Sequence, residues 1–182
     1  GGHPSAAGGT LAVTPLAGLR YTTSNGFTGA TRLEVGKTPV ALPGGNGAPG
    51  QQVEDQASGV INFSTSLLDG SGIATLQLGV DPTLSDSGAL PVVFADGVSI
   101  RVARALTINA SAIVYGGDRD DTTITLEAGY VNLHGYAPGA IYEEIVTQPS
   151  NSEDVDLVVN AQSIDMGGQF SLQGFGSAVF NS

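Results

Sequence analysis

The residues of this chain that could do chemistry are mainly carboxylates, and several cluster in one short stretch. GGDRDD at 116–121 places Asp118, Asp120 and Asp121 beside a pair of glycines. Calcium takes about 6–8 oxygen ligands, and a turn rich in carboxylates can supply some of them. The spacing matches neither an EF-hand loop nor a repeated calcium-binding nonapeptide. A solvated acidic turn is therefore the simpler interpretation, and the three aspartates are kept beside it as calcium candidates.

Catalysis has little support in the residue types. Paired carboxylates cleave glycosidic bonds in many enzymes, but such grooves usually add basic or aromatic residues, and here Lys37 is the only lysine and tryptophan is absent. His3 and His134 are distant in sequence and give no metal-ligand spacing. Cysteine is absent, which excludes thiolate nucleophiles, and no serine has a triad-like histidine partner. The sequence predicts no catalytic residues, no metal and no cofactor, and a protein that is not an enzyme.

Two tyrosines are candidates for binding rather than for catalysis. Tyr136 and Tyr142 lie with Pro138 in the segment 136–155, the longest interruption of the strand pattern described below. Tyrosines exposed on a loop can stack on a sugar or on a partner protein, and loops on a rigid scaffold often carry function. The alternative is that these rings fold back over the neighbouring strands.

Composition indicates the fold class and excludes several partners. The chain has 182 residues, of which 41% are hydrophobic, 13% are charged and 27 are glycine. Abundant Thr, Ser and Val with few helix formers favour an all-β fold. There are 17 acidic and 6 basic residues, a net charge of -11, which argues against nucleic acid and anionic membranes as partners. No apolar run approaches the roughly 20 residues of a membrane-spanning helix, so membrane insertion is not expected.

A twelve-residue template occurs three times and predicts how the chain folds. It reads apolar, any, apolar, any, Ala, any, any, apolar, any, apolar, any, Gly, which is two short strands with alternating inward side chains. The two residues after the alanine shift the phase, and the glycine is expected to adopt positive φ at a turn. The three copies are LTINASAIVYGG (106–117), ITLEAGYVNLHG (124–135) and LVVNAQSIDMGG (157–168).

The spacing of the copies favours a β-solenoid. The first two copies start 18 residues apart and the next two 33 apart, as expected for a repeat with insertions at one corner. The alternative is a β-sandwich of hairpins. The further strands GTLAV, GVINFS, ATLQL and GVSIRV agree with either fold, and 36–56, 81–97 and 136–155 are interpreted as peripheral loops. Residues 1–182 are expected to form one solenoid segment of a longer chain, with residues 1–8 flexible.

Several of these stretches resemble a known family. GTLAVTP, ALTINASAIV and VVNAQSIDMGGQFSLQGFGSAVFNS, with the recurring Gly-Phe, are similar to the shaft of filamentous-haemagglutinin-like exoproteins, which are exported by two-partner secretion. The resemblance covers most of 9–33 and 58–182, in pattern more than in identity. It implies a right-handed parallel β-helix, located outside the cell or on the bacterial surface, with a role in adhesion or biofilm. It supplies no catalytic residues.

The expected function is therefore structural and adhesive. A rigid rod would present loops to a host-cell, matrix or polysaccharide surface, and its neighbours would be further coils of the same chain or identical subunits. Two alternatives remain open at this point. One is a self-assembling extracellular fibre subunit whose open strand edges stack on the next chain, and the other is a polysaccharide-acting enzyme built on a β-helix.

Overall fold

The computed structural model describes residues 8–14, 32–38, 60–79, 90–135 and 154–182. These residues form strands and one 3-10 helix (Thr65–Leu68), with no α-helix among them, so the expected all-β class is confirmed. In chain order the strands are β1 (Gly9–Val13), β2 (Arg32–Gly36), β3 (Val60–Ser64), β4 (Ile73–Gly79), β5 (Val92–Phe94), β6 (Ser99–Arg101), β7 (Ala105–Asn109), β8 (Ala112–Tyr115), β9 (Asp121–His134), β10 (Asp154–Gly167), β11 (Ser171–Gln173) and β12 (Ser177–Asn181).

The strands form two sheets in which every described strand pair is parallel. The seven-stranded sheet has the order β1-β4-β7-β9-β10-β12, and its seventh strand, β6, pairs with β9, which also pairs with β7. The five-stranded sheet has the order β11-β8-β5-β2-β3. Hairpins pair antiparallel strands, so the described copies of the template are not hairpins. The four short strands expected from the sequence are present as β1, β3, β4 and β6.

The core lies between the two sheets and is built from rows of apolar side chains that run from strand to strand. A parallel register places like positions of successive strands side by side, so each inward side chain packs on the next. Fully burying one such side chain contributes roughly 1.5–3 kcal/mol. The rows are Leu11, Leu76, Leu106, Val131 and Ile164; Val13, Leu78, Ile108, Leu133 and Met166; Ile100, Leu126, Val159 and Phe180; and Ile61, Leu33, Val92, Ile113 and Leu172.

The second and third copies of the template pair as expected. They are the long strands β9 and β10, and their register matches Ile124 with Leu157, Ala128 with Ala161, and so on to the end of the template. Within β9 the inward face changes phase directly after Ala128, which divides the strand into a first arm (121–128) and a second arm (130–134). The second and third copies are therefore true structural repeats.

The first copy was aligned wrongly by the template. Leu106 lies beside Val131 instead of Ile124, because β7 pairs with the second arm of β9 while β6 pairs with the first arm. The second half of that copy is β8, which belongs to the five-stranded sheet. The segment that matches Ile124 starts at Val98, one residue before the Ser99–Thr125 pair. The template does not match this segment, because Val102 stands where the template has alanine. In addition, one extra residue separates Val102 from Ala105, the residue that pairs with Tyr130.

Glycine is required at the last position of the template for two different physical reasons. Gly168 has a φ of 69°, as predicted, but Gly117 and Gly135 are not among the glycines with positive φ. A Cβ on Gly117 would collide with the Asp96 carboxylate, and a Cβ on Gly135 would collide with the main chain of Gln169. A neighbouring side chain at Gly117 and neighbouring backbone at Gly135 therefore leave no room for a side chain at those two positions.

Two of the expected loops need correction. The segment 81–97 contains β5, whose Val92 and Phe94 are fully buried, so it is not peripheral along its whole length. The segment 136–155 includes Val155 of β10, which is fully buried, so it is not peripheral along its whole length either. It also connects parallel neighbours, which requires a crossover back to the end of the sheet where these strands begin. A turn of a few residues is therefore too short to replace this segment.

The third copy departs from its expected burial. Leu157 and Val159 are buried, but Met166 is 56% exposed, and among the described strands its second-arm position has a neighbour only on the β9 side. Residues 1–7, and with them most of the expected flexible start, lie outside the described residues. Among the residues that are described, none belongs to a helix of the length and apolar character that a membrane crossing needs.

Candidate functional site

A hydrogen-bonded cluster at the corner between β8 and β9 fixes the acidic turn. Tyr115 is fully buried in β8, and its hydroxyl donates to the Asp96 carboxylate, with the carbonyl oxygen of Arg119 also 2.7 Å away. The backbone N–H of Arg119 donates to the same hydroxyl at 3.0 Å and lies 3.2 Å from the Asp96 carboxylate. The ring of Phe175 packs near Tyr115, with 6.3 Å between the ring centroids. The cluster therefore ties the turn to the core.

The cluster shifts the pKa values of both acidic partners. The hydrogen bond from Tyr115 lowers the pKa of the Asp96 carboxyl. Burial, together with the hydrogen bond to Asp96, raises the pKa of Tyr115 to about 12. At neutral pH the pair is therefore a phenol and a carboxylate, held together by a charge-assisted hydrogen bond. A phenol whose pKa has been raised in this way is a poor general base, so the geometry indicates a structural role.

The three calcium candidates lie on the solvent side of this corner. Asp118, Asp120 and Asp121 are all exposed. They do not converge, since no group of three or more His, Cys, Asp or Glu side chains among the described residues could hold a metal ion. The nearby carboxylate that does point inward, Asp96, is engaged by Tyr115. The role of the three aspartates as calcium candidates stays a prediction.

The outer face of the seven-stranded sheet carries rows of polar side chains. Arg101 and Glu127, on neighbouring strands, form an ion pair at 2.7 Å. Asn181 donates to Asn160 at 2.8 Å, and the hydroxyl of Ser177 donates to Asp156 at 2.6 Å. These contacts follow the parallel register, which brings outward positions of successive strands side by side.

Tyr130 and Asp165 form the most distinctive pair on this outer face. The Tyr130 hydroxyl donates to an Asp165 carboxylate oxygen at 2.7 Å, and this hydrogen bond raises the pKa of the phenol. The register places small residues, Ala105 and Ser163, on either side of Tyr130. A phenol ring between small neighbours, next to a carboxylate, can stack on a pyranose ring while the carboxylate accepts hydrogen bonds from sugar hydroxyls.

Of the other residues singled out from the sequence, only His134 lies among the described residues. His134 lies on the outward side of β9, and its Nδ1 atom is buried without a hydrogen-bond partner. Its imidazole packs over Gly167, where an added Cβ would be 3.0 Å from the ring. Tyr136, Tyr142, Pro138 and His3 lie outside the described residues, so the binding role expected for the two tyrosines stays a prediction.

The sequence analysis did not predict the Tyr130–Asp165 pair, because it considered tyrosines as binding residues only in the loops. The aligned copies contain the signal: Tyr130 takes the seventh place of its template and Asp165 the ninth place of the next. Both places face outward on adjacent strands, two residues apart along the register. Such a diagonal offset is within reach of a long aromatic side chain.

Comparison of the chain with protein-family models, with curated proteins and with solved structures finds no match in any of the three.

Proposed function

We propose that this chain is a structural segment of a secreted or surface-attached, filamentous-haemagglutinin-like exoprotein, folded as a right-handed β-solenoid, and that it adheres to polysaccharide. The observation that carries the proposal is the set of apolar rows. They pass through strands that pair in parallel across both sheets, and they leave a polar outer face and the connecting loops available for contact. The role is mechanical and adhesive and needs no reaction.

The order in which the chain visits the sheets supports the solenoid. It passes from β5 to β6, β7 and β8, then to the two arms of β9, and later from β10 to β11 and β12. Each turn of the chain thus passes through a first-arm position and then a second-arm position of the seven-stranded sheet. In two of these turns, β6-β7-β8 and β10-β11, the chain then enters the five-stranded sheet. Crossovers between parallel strands are right-handed in nearly all proteins. The corrected repeat, from Val98 to Ile124, is 26 residues long.

The outer face supports contact with carbohydrate. Tyr130 supplies an aromatic surface, and Asp165 with the Asn160–Asn181 ladder supplies acceptors and donors at regular strand spacing. Sugars are recognised by aromatic stacking combined with such polar groups. The net charge of -11 favours a neutral or cationic polysaccharide, since an anionic one would be repelled.

Several carboxylates of the described strands form ion pairs or hydrogen bonds with neighbouring side chains, as is usual on a structural surface. Glu127 pairs with Arg101, Glu34 pairs with Arg32 at 2.7 Å, and Asp156 accepts from Ser177. An acid and base pair for glycoside cleavage needs one carboxyl with a raised pKa next to another that is ionised. At Asp96 the pKa of the carboxyl is lowered, which is the opposite of what a general acid needs. The contacts of these described carboxylates support the structural role that we propose.

A binding assay tests the proposal directly. The fluorescently labelled 182-residue chain is applied to immobilised neutral, cationic and uronate-containing polysaccharides, with matrix proteins and cultured cells as parallel arms. We expect saturable binding to a neutral or cationic polysaccharide and a loss of at least tenfold in affinity for Tyr130→Ala. Tyr130→Phe, which keeps the ring, should lose less than Tyr130→Ala. Gln173→Ala, in the five-stranded sheet, is the matched control and should bind like the parent chain.

Three outcomes would contradict the proposal. The first is absence of binding to every polysaccharide, and the second is binding that Tyr130→Ala leaves unchanged. The third is release of reducing or unsaturated ends from the polysaccharide during the assay, which would favour the enzyme. Far-ultraviolet circular dichroism and thermal melts of each variant confirm that lost binding does not reflect lost folding.

A further inference from the structure

The last strands of the stack leave apolar side chains exposed. The exposed large hydrophobic residues of the described chain are Leu67, Met166, Leu172 and Val179, and three of the four belong to β10, β11 and β12. Met166 and Leu172, at 56% and 37% exposure, stand at inward positions of their strands, each as the terminal member of an apolar row. The rows therefore continue to an end where no described strand covers them.

The opposite end of the stack carries the other terminal members of the same rows. Leu11 and Val13 in β1 begin the rows that finish at Ile164 and Met166, and Ile61 in β3 begins the row that finishes at Leu172. Each of these three rows crosses five strands. Because the numbers are equal, a second copy displaced along the stack by five strand spacings would continue all three rows at once.

We propose that the end formed by the second arm of β10 and by β11 binds the opposite end, formed by β1 and β3, of a second copy of this chain. Copies would then add head to tail by parallel strand pairing, with β1 of the second copy on the second arm of β10 and β3 on β11. This inference goes beyond the adhesive function proposed above and stands or fails independently of it.

The register of the existing rows fixes the register of the contact. Continuing each row by one strand places Leu11 of the second copy beside Ile164, Val13 beside Met166, and Ile61 beside Leu172. On the outer face, Thr10 of the second copy lies beside Ser163. All strands of both sheets run in the same direction within their sheet, so a second copy that is simply moved along the stack meets both edges with the correct polarity. Because a head-to-tail contact of this kind does not close into a ring, successive copies would form an open filament.

The edges carry few of the features that usually prevent such pairing. Natural edge strands are protected by charges, prolines or inward-pointing charged residues. The sequences of β1, β3 and β11 are GTLAV, VINFS and SLQ, without charge or proline. The one charged side chain in the second arm of β10 is Asp165, which faces outward, accepts from Tyr130, and would lie beside Ala12 of the second copy. What opposes association is the net charge of each copy, -11, and salt screens that repulsion.

Disulfide trapping tests both the contact and its register, because the chain has no cysteine of its own. Thr10 and Ser163 are exposed, so single Thr10→Cys and Ser163→Cys variants should fold normally. After mixing and mild oxidation in about 0.5 M salt, we expect a mixed disulfide dimer at least tenfold above the yield for Thr10→Cys mixed with Ser177→Cys. Ser177, in β12, is the control because it faces outward on the strand that pairs with the first arm.

Sedimentation of the unmodified chain supplies a second measurement. We expect association that strengthens with protein concentration and with salt, and a weakening of at least tenfold for Met166→Lys. Thr107→Lys adds the same charge to the outer face in the middle of the sheet and should associate like the parent chain. A chain that remains monomeric at all concentrations and salt levels overturns the proposal, as does a preference of Thr10→Cys for Ser177→Cys. Loss of polysaccharide binding with association intact would contradict only the adhesive function.

Discussion

Leu126 and Thr125 are adjacent in β9, yet Leu126 is fully buried between Ile100 and Val159 while Thr125 faces outward and is half-buried. Introducing aspartate at each position in turn therefore compares a buried site with an outward site in the same strand, so that the difference in unfolding free energy reports burial. Leu126→Asp places an unpaired charge among aliphatic side chains and should lower the free energy of unfolding by several kcal/mol. Thr125→Asp should lower it by about 0.5 kcal/mol. Denaturant melts of the two variants measure the difference, and equal stabilities would refute the inward and outward assignment.

The phase shift in β9 depends on a small side chain. Ala128 is buried at the point where the two arms meet, beside Ala161 of β10. Ala128→Leu overpacks this point and should cost roughly 1–3 kcal/mol of unfolding free energy. Ala161 has the same place in the last template copy but is only half-buried, so Ala161→Leu should cost less. Thermal or denaturant unfolding of both variants checks the order, and a larger loss for Ala161→Leu would contradict it.

The corner cluster makes stability depend on pH at both extremes. Tyr115 has its pKa raised to about 12, so the stability that its protonated form contributes is complete below the ordinary phenol value near 10 and is lost as the pH rises to about 12. Asp96 has its pKa lowered, so its contribution is present above its ordinary value of 3.8 and is lost as the pH falls further. Tyr115→Phe should flatten both changes and cost about 1–2 kcal/mol at neutral pH.

Spectrophotometric titration identifies the tyrosine responsible. Phenolate absorbance should show one group that titrates near pH 12 in the parent chain and is missing in Tyr115→Phe. Tyr130→Phe serves as the control, since the exposed Tyr130 contacts Asp165 on the outer face and not the corner cluster. If the group near pH 12 persists in Tyr115→Phe, the burial of this hydroxyl against Asp96 is wrong.

The connection from β9 to β10 should have a minimum length. The neighbouring crossover from β10 to β12 uses nine residues, 168–176, and the one from β7 to β9 uses eleven, 110–120. Replacing 138–153 by four Gly-Ser residues leaves seven residues between the strands, which should prevent β9 and β10 from pairing. A sixteen-residue Gly-Ser replacement should still permit cooperative melting, with its longer closure costing little. Equal folding of both replacements would refute the parallel crossover.

Gly135 tests the close approach of backbones. A Cβ at this position would collide with the main chain of Gln169, which cannot move aside as a flexible side chain can. Gly135→Ala should therefore lower the free energy of unfolding by roughly 1–3 kcal/mol. Gly9→Ala is the control, because nothing lies within 4 Å of a Cβ there and φ is not positive. Denaturant midpoints of the two variants give the comparison, and a tolerated Gly135→Ala would argue against this packing.

Much of the strand structure could be predicted from the sequence because period-two alternation directly reports a half-buried strand. The alternation found β9, β10 and the short strands β1, β3, β4 and β6, and it assigned Ile124 and Leu133 correctly to the core. It failed at β5, where three apolar residues stand among proline, glycine and aspartate. It also placed β7 in the wrong register, because Val102 occupies the position that the template reserved for alanine.

The candidate site could be predicted only in part, since it depends on which strands become neighbours. The Tyr130–Asp165 contact joins residues 35 positions apart, and the Asp96–Tyr115 contact joins two turns of the chain that share no motif. Neither pairing is visible until the register is known. The exposure of Met166 likewise depends on which neighbouring strand ends the row, which local alternation does not report.

The parallel stacking has a mechanical consequence. Gly9 and Asn181 lie in strands at opposite ends of the seven-stranded sheet, so tension applied between them acts across the strands, along the direction of the interstrand hydrogen bonds. Load in that direction opens one ladder at a time instead of shearing a whole strand at once. Because each strand packs mainly on its immediate neighbours, the outermost strand detaches first and can pair again when the load falls. A segment built this way would lengthen in steps under load and recover its length when the load falls.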